Sequence, residues 1–150
     1  MARSRVTHID GIETVRAAFK TLKNESVGRI THALNLGADE VVNGARILVP
    51  IEEGDLKETI RKTPIQLKRG RFGGVVIFII AGNTKETANA AYRQEFGRDP
   101  GGKSPNEWHP GHPAQEFMFP AYWSVRRKIK ARVATAVRNA AKAAVQSRGK

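Results

Sequence analysis

The sequence predicts an α+β protein in which a small antiparallel β-sheet packs with a long N-terminal helical region and a long C-terminal helix. Apolar residues recur at helical spacing between residues 10 and 50 and again over residues 119–146. Between these regions, the run Val75–Ala81 is continuously apolar and rich in β-branched residues, which indicates a buried strand. With 150 residues, of which 40% are hydrophobic, the chain is expected to form a single domain, residues 1–150.

The N-terminal helical region is expected to contain two segments. Residues 1–9 are expected to be flexible. Asp10 is the candidate N-cap, and Glu13 completes a capping box ahead of the first apolar turn. Polar residues around positions 24–26 predict a break, after which a second segment runs until Pro50 ends it.

Three glycines interrupt the second segment: Gly28, Gly37 and Gly44. Each costs about 1 kcal/mol relative to alanine in a helix interior. Their spacing places them near one face of the helix, where another backbone can approach closely. The alternative is that they are tolerated weak points.

A short helical turn and a β-hairpin are expected after Pro50. Asp55 can cap a turn that contains Leu56 and Ile60. A strand at residues 65–67, a basic turn and the apolar run Val75–Ala81 then form an antiparallel hairpin.

The segment from Thr87 to Phe96 fits both a strand and a short helix, and a strand around Ala91–Glu95 is the preferred prediction. Glu95 and Phe96 stand directly before Gly97. At the end of such a strand, Phe96 can pack while Glu95 stays near the surface.

Residues 97–113 are polar and rich in glycine and proline, and they are expected to form a long interaction loop. Trp108 is the candidate aromatic anchor of this loop. His109 and His112 could share a metal ion, but Pro110-Gly111 between them rules out a helical ligand pair and no third ligand is evident. We therefore expect turn histidines and no metal site.

The segment Phe117–Trp123 carries five large apolar side chains around a Pro-Ala step, which a solvated linker would not do. Pro120 suits the first turn of the C-terminal helix because its φ is fixed. Phe117 and Phe119 are expected to hold this helix against the sheet. The expected buried stripe of the helix has an apolar residue at every fourth position: Val125, Ile129, Val133, Val137, Ala141 and Val145.

Positive charge is concentrated on this helix. From Phe117 to Lys150 there are nine basic residues and no acidic one, whereas the remainder contributes only +3 of the net charge of +12. A polyanion or an acidic protein surface is the expected partner, and any contact with DNA is expected to be with phosphate rather than with base edges. The candidate contact residues are Arg126, Arg127, Lys130, Arg138 and Lys142.

Several functional classes are disfavoured. The chain has no cysteine, so it can have no disulfide or thiolate metal site, and no apolar run approaches the ~20 residues that span a bilayer. It has no nucleophile motif, phosphate-binding glycine loop or dinucleotide fingerprint, so no cofactor is expected. Asp55, Lys57 and Glu58 could be parts of a nuclease site, but their spacing better fits a capped helical turn, and no enzymatic activity is expected.

Three patterns occur in an informative order. They are Val49-Pro50-Ile51-Glu52-Glu53-Gly54-Asp55-Leu56-Lys57-Glu58-Thr59-Ile60, then Ala91-Tyr92-Arg93-Gln94-Glu95-Phe96-Gly97, then Pro113-Ala114-Gln115-Glu116-Phe117-Met118-Phe119-Pro120-Ala121. This ordered set resembles the head–tail joining proteins of long-tailed double-stranded-DNA bacteriophages, which are also called neck or tail-completion proteins. The likeness extends from about Val27 to Val145.

The resemblance implies a structural subunit of a ring, a hexamer or a dodecamer, between the head connector and the tail, with DNA passing through its channel. It implies a place in the neck or tail of a virion that is assembled in the host cytoplasm. The candidate interface or core-anchor residues are Tyr92, Glu95, Phe96, Trp108, Phe117, Phe119, Pro120 and Trp123. The alternative is a free basic protein that binds DNA without sequence preference.

Overall fold

The computed structural model describes residues 12–50, 54–68, 74–102 and 108–146. Residues 1–9 and the candidate N-cap Asp10 lie outside these ranges. The predicted α+β class is confirmed, with two long helices, two shorter helices and a small antiparallel β region. In chain order the elements are α1 Ile12–Leu48, α2 Gly54–Thr59, β1 Arg61–Lys62, β2 Gln66–Lys68, β3 Gly74–Val76, β4 Ile79–Ile80, α3 Lys85–Phe96 and α4 Met118–Gln146.

Helix α1 is one continuous helix of 37 residues, so the expected break around residues 24–26 is wrong. Ser26 remains compatible with the helix because its hydroxyl donates to the carbonyl oxygen of Leu22, one turn earlier. Glu25 also pairs with Arg29 at 3.4 Å along the helix surface. The helix ends just before Pro50, as predicted.

Helix α4 packs mainly along α1 rather than across the sheet. The two helices are antiparallel, since Gly44 lies against Ala121 near one end and Gly37 lies against Ile129 farther along. The observed helix, Met118–Gln146, has nearly the bounds expected from the sequence.

The stripe of α4 that faces α1 differs from the expected one in its second half. Val137, Ala141 and Val145 are exposed, whereas Ala140 and Ala144 are buried. A spacing of four residues advances by about 40° more than a full turn at every step, so a strict every-fourth stripe rotates away from a straight partner helix.

The predicted hairpin is present, with β2 and β3 paired antiparallel. The run Val75–Ala81 is nevertheless not one buried strand. It divides into β3 and β4, β4 pairs with β1, and all seven side chains remain partly exposed. Residues 69–73, which connect β2 to β3 in the sequence, lie outside the described residues.

The segment predicted as a strand around Ala91–Glu95 is part of helix α3, so the less favoured alternative is the correct one. The Thr84 hydroxyl accepts from the Thr87 backbone N–H and completes a capping box with the Thr87 side chain. Gly97 ends the helix with a φ of 77°, a conformation that favours glycine.

The hydrophobic core lies at one end of the α1–α4 pair. Its most buried large side chains are Phe117, Leu56 and Ile60. They pack with the last turns of α1 and the first turn of α4. The other ends of the two long helices extend beyond this core and bury mainly alanine.

Candidate subunit interface

The junction between α3 and α4 is organised by a buried carboxylate. Glu95 is only 5% exposed, and its two oxygens accept hydrogen bonds from the backbone N–H groups of Phe117, Met118 and Phe119 at 2.8, 2.9 and 2.9 Å. These donors belong to the beginning of α4, where helical N–H groups have no partner within the helix. The expectation that Glu95 stays near the surface is therefore wrong, because the start of α4 draws its side chain inward.

A glutamine pair strengthens the same junction. The Gln94 side-chain amide donates to Oε1 of Gln115 at 2.7 Å, and the Gln115 backbone N–H donates to the Gln94 carbonyl oxygen at 2.8 Å. Phe117 follows directly and is fully buried. The first turn of α4 is thus held to α3 by the hydrogen bonds of Glu95 and by those between Gln94 and Gln115, and buried Phe117 adds packing at the same junction.

Aromatic side chains on the outer side of this junction remain uncovered. We call the set the aromatic patch and define it as Tyr92, Phe96, Phe119, Tyr122 and Trp123. Phe96 lies 4.9 Å from Tyr92 and 6.1 Å from Phe119 between ring centroids, and Trp123 lies 5.7 Å from Tyr122. Each of the five is at least 40% exposed.

Two sequence expectations are corrected by this patch. Phe96 was expected to pack and Phe119 to hold α4 against the sheet, yet both are exposed. In a helix, Glu95 and Phe96 point about 100° apart, so inward placement of Glu95 directs Phe96 outward. Pro120 lies in the first turn of α4 as expected and is half-buried.

The aromatic patch continues into the cations of α4. The Arg126 guanidinium lies 4.5 Å from the ring centroid of Trp123, which is within the range of a cation–π contact. A shallow cavity of about 590 Å³ marks this meeting point and is lined by Trp123, Ser124, Arg126, Arg127 and Lys130. Aromatic stacking surface and positive charge therefore share one concave site.

The cations of α4 fall into two groups. Lys128 and Arg132 face α1, where both donate to Oε1 of Glu40, at 2.8 and 2.7 Å. Hydrogen bonds from Arg132 and then Lys128 lower the pKa of Glu40 from 4.5 to about 2. These two cations are therefore neutralised within the chain itself.

The second group forms what we call the basic face, defined as Arg126, Arg127, Lys130, Arg138 and Lys142. Within the described ranges, none of the five forms an ion pair. They are the same five residues that were predicted from the sequence to contact DNA or an acidic partner. Their partner remains a prediction, but the structure leaves all five available.

The expected interaction loop has more order than its composition suggests. Arg98 and His112 exchange two backbone hydrogen bonds of 2.9 Å, and Gly101 and His109 exchange two of 3.0 and 3.1 Å. Gly111 has a φ of 76°, and a Cβ there would lie 2.6 Å from the Arg98 carbonyl oxygen, so a glycine is required at this close approach. The described part of the loop is thus a narrow antiparallel ladder.

Trp108 lies at the outer end of this ladder and is exposed, next to residues 103–107, which are outside the described ranges. It makes no ring contact with the aromatic patch among the residues described. The pKa of His109 is lowered, first by burial and then by Arg98 and Arg93. In the part of the chain that the structure covers, no three His, Asp or Glu side chains converge as metal ligands.

Some of these features had no signal in the sequence. Helix α4 has no acidic residue in its first turn. Nothing in the sequence identifies Glu95, which lies 22 residues before Phe117, as the residue that caps this helix. Tyr122 was not among the candidate residues. The exposed half of α4 could have been found from its concentration of large and charged residues.

None of the described helices combines the length and apolar character needed to cross a membrane. A scan against models of protein families and searches of curated proteins and of solved structures return no match.

Proposed function

We propose that this protein is a structural subunit of the neck or tail-completion ring that joins the DNA-filled head of a long-tailed bacteriophage to its tail. The observation that carries the proposal is the outward side of α4, where an exposed aromatic patch leads into the basic face, whose cations form no ion pair with any described residue. The order of the three sequence patterns supplies the assignment to joining proteins in particular.

The aromatic patch supports a function in protein assembly. Tyrosine, tryptophan and phenylalanine are enriched in the buried centres of protein interfaces, where they provide most of the binding energy. In this chain they are also held in place before binding, because Glu95 and buried Phe117 fix the turn that carries them. A preordered aromatic surface loses less entropy on association.

The basic face supports a position beside DNA or beside an acidic partner ring. Its five cations form no ion pair among the described residues, and a ring brings several copies of them together. Phosphate contacts of this kind are independent of sequence. That suits a channel through which a whole genome passes.

A reconstitution experiment tests the proposal. Tails and connector-bearing heads, isolated from particles assembled without this protein, are mixed with the purified chain and examined by electron microscopy. We expect a ring of added density at the joint and restored head–tail joining. The double variant Phe119→Ser with Trp123→Ser is expected to lose joining, whereas Phe19→Ser, which changes an exposed phenylalanine far from the patch, is expected to retain it.

A second experiment separates this function from that of a free DNA-binding protein. The isolated chain is titrated with duplex DNA at increasing salt. A free DNA-binding protein engaging all five cations would bind tightly at low salt, and its log affinity would fall by about 4–5 per decade of salt. We expect weak binding by the isolated subunit; tight binding together with failure to join heads to tails would contradict the neck function.

A further inference from the structure

The four short strands form a single interrupted ribbon. Arg61 pairs with Ile80 and Lys62 with Ile79, and the Thr63 N–H donates to the Phe78 carbonyl oxygen at 2.8 Å. The ladder resumes in β2 and β3 with Gln66 opposite Val76. Two residues of the first strand, Pro64 and Ile65, thus lie opposite one residue of the second, Ile77, which is a β-bulge.

The two edges of this ribbon differ in chemistry. On the β1–β2 edge, the amine of Lys62 turns onto α1 and lies 2.7 Å from Asp39. The same edge still carries features that natural proteins use to prevent strands from adding to an exposed edge: a basic side chain at Arg61, a proline at Pro64 and the bulge beside it. The β3–β4 edge has none of them, since every residue from Gly74 to Gly82 is uncharged and none is proline.

Backbone groups on the β3–β4 edge have no strand to pair with among the described residues. Antiparallel ladders alternate between residues that face the partner strand and residues that face away. Because Phe78 bonds to Thr63, its neighbours Ile77 and Ile79 direct their N–H and C=O groups to the opposite, unpaired side.

The side chains of this edge are also only partly covered. One side of the ribbon lies on α1, yet all seven residues of Val75–Ala81 remain partly exposed, and Phe78 is 45% exposed. A continuously apolar strand is typical of burial on both faces. The subunit alone provides only part of that burial, and a two-stranded ribbon by itself is marginally stable.

We propose that the β3–β4 edge pairs with the same edge of a second copy of this chain, across a two-fold axis, to form a four-stranded antiparallel sheet. The backbone chemistry of the two edges identifies the occupant. Two β3–β4 edges can form a regular ladder because neither contains a proline, whereas the β1–β2 edge of another copy is interrupted by Pro64, which has no N–H to donate, and by the bulge beside it. A contact between identical edges closes on itself and stops at two copies.

This proposal does not depend on the neck function. It uses none of the residues of the aromatic patch or the basic face, so a two-fold dimer would leave both surfaces free. Its failure and the failure of head–tail joining would therefore be observed separately.

The first test introduces a lysine on each edge. Sedimentation equilibrium at about 100 μM, a range in which modest interfaces are populated, is expected to give a dimer for the wild-type chain. Phe78→Lys is expected to give a monomer with an unchanged circular dichroism spectrum. The control Leu67→Lys replaces a 62% exposed apolar residue of β2 and is expected to stay dimeric. A monomeric wild type, or equal loss of the dimer in both variants, would overturn the proposal.

The second test needs no destabilising change and uses the absence of cysteine from the chain. Single cysteines are placed in turn at residues 77 to 80, and disulfide formation is followed on non-reducing gels. Across a two-fold antiparallel pair, some residue lies opposite itself or its neighbour at a distance a disulfide can bridge. We expect cross-linking at one or two adjacent positions and none for Leu67→Cys. A dimer that cross-links only through Leu67→Cys would refute pairing at the β3–β4 edge.

Discussion

The inner and outer sides of helix α4 differ in side-chain size, burial and charge. The inner side, against α1, buries alanines and neutralises its two cations with one carboxylate, Glu40. The outer side exposes large aromatic rings and five cations that form no ion pair among the described residues. The inner side therefore stabilises the fold of the chain, and the outer side is available for contacts with other molecules.

Small residues make the inner side possible. A Cβ added to Gly44 would lie 3.3 Å from the Ala121 Cβ, and one added to Gly37 would lie 2.7 Å from Cγ1 of Ile129. The backbones thus approach closely at Gly44, where the interpretation as a close-approach position is confirmed. At Gly37 the space is filled by the side chain of Ile129 rather than by another backbone. Gly28 has no neighbour within 4 Å of an added Cβ, so it fits the alternative of a tolerated weak point.

The largest expected effect on stability distinguishes the buried side of α4 from its exposed side, by comparing the substitution of one phenylalanine on each. Phe117→Ala leaves a cavity in the core and is expected to lower the free energy of unfolding by about 4 kcal/mol. Phe119→Ala removes an exposed ring two residues later and is expected to change it by about 0.5 kcal/mol or less. Urea unfolding followed by circular dichroism measures both. Similar losses from the two substitutions would mean that the outer side is part of the core.

The next effect concerns the cap that fixes the aromatic patch. Glu95→Ala leaves three buried or half-buried N–H groups without an acceptor and is expected to cost about 3 kcal/mol. Glu95→Gln keeps an acceptor oxygen and should cost less, about 1 kcal/mol. The same urea titrations measure both. A fully stable Glu95→Ala variant would show that the junction does not depend on this carboxylate.

A smaller effect on stability is expected when two glycines of α1 are each replaced by alanine. Gly28→Ala is expected to raise the free energy of unfolding by about 1 kcal/mol, since the helix gains propensity and nothing is crowded. Gly37→Ala gains the same propensity but collides with Ile129, so a net loss of about 1 kcal/mol is expected. In the Gly37→Ala background, Ile129→Ala should cost less than it does alone. Additive effects of the two changes would argue against the close contact.

The smallest expected effect is the pH dependence of the inner ion pairs. The folded-state pKa of Glu40, about 2, lies below its ordinary value of 4.5, so the ionised carboxylate stabilises the fold above pH 4.5. That contribution is lost as the pH falls from 4.5 towards 2. Glu40→Gln is expected to reduce the pH dependence of the free energy of unfolding between pH 4.5 and pH 2. Glu25→Gln is the control, because its pair with Arg29 is exposed and should contribute little. Unfolding titrations at a series of pH values measure both.

Much of the fold was predictable because it depends on local pattern. The bounds of α4, the hairpin of β2 and β3, the end of α1 before Pro50 and the short helical turn that contains Leu56 follow from propensity, periodicity and turn residues. The errors arose where local signals are weak or conflict. Around residues 24–26, packing along α4 outweighs the local preference for a break. In α3, the capping box at Thr84 outweighs the strand-like pattern.

The candidate site was predictable in composition but not in arrangement. The sequence alone determined that α4 carries the aromatic segment and an unbalanced positive charge, because these are properties of residue order. Only the tertiary structure decided which of those residues are covered. Glu95 turns inward because the distant start of α4 needs an acceptor, and Phe96 and Phe119 are thereby left outside. Propensity acts over a few residues, whereas burial and hydrogen-bond partners depend on segments that meet only after the chain has folded.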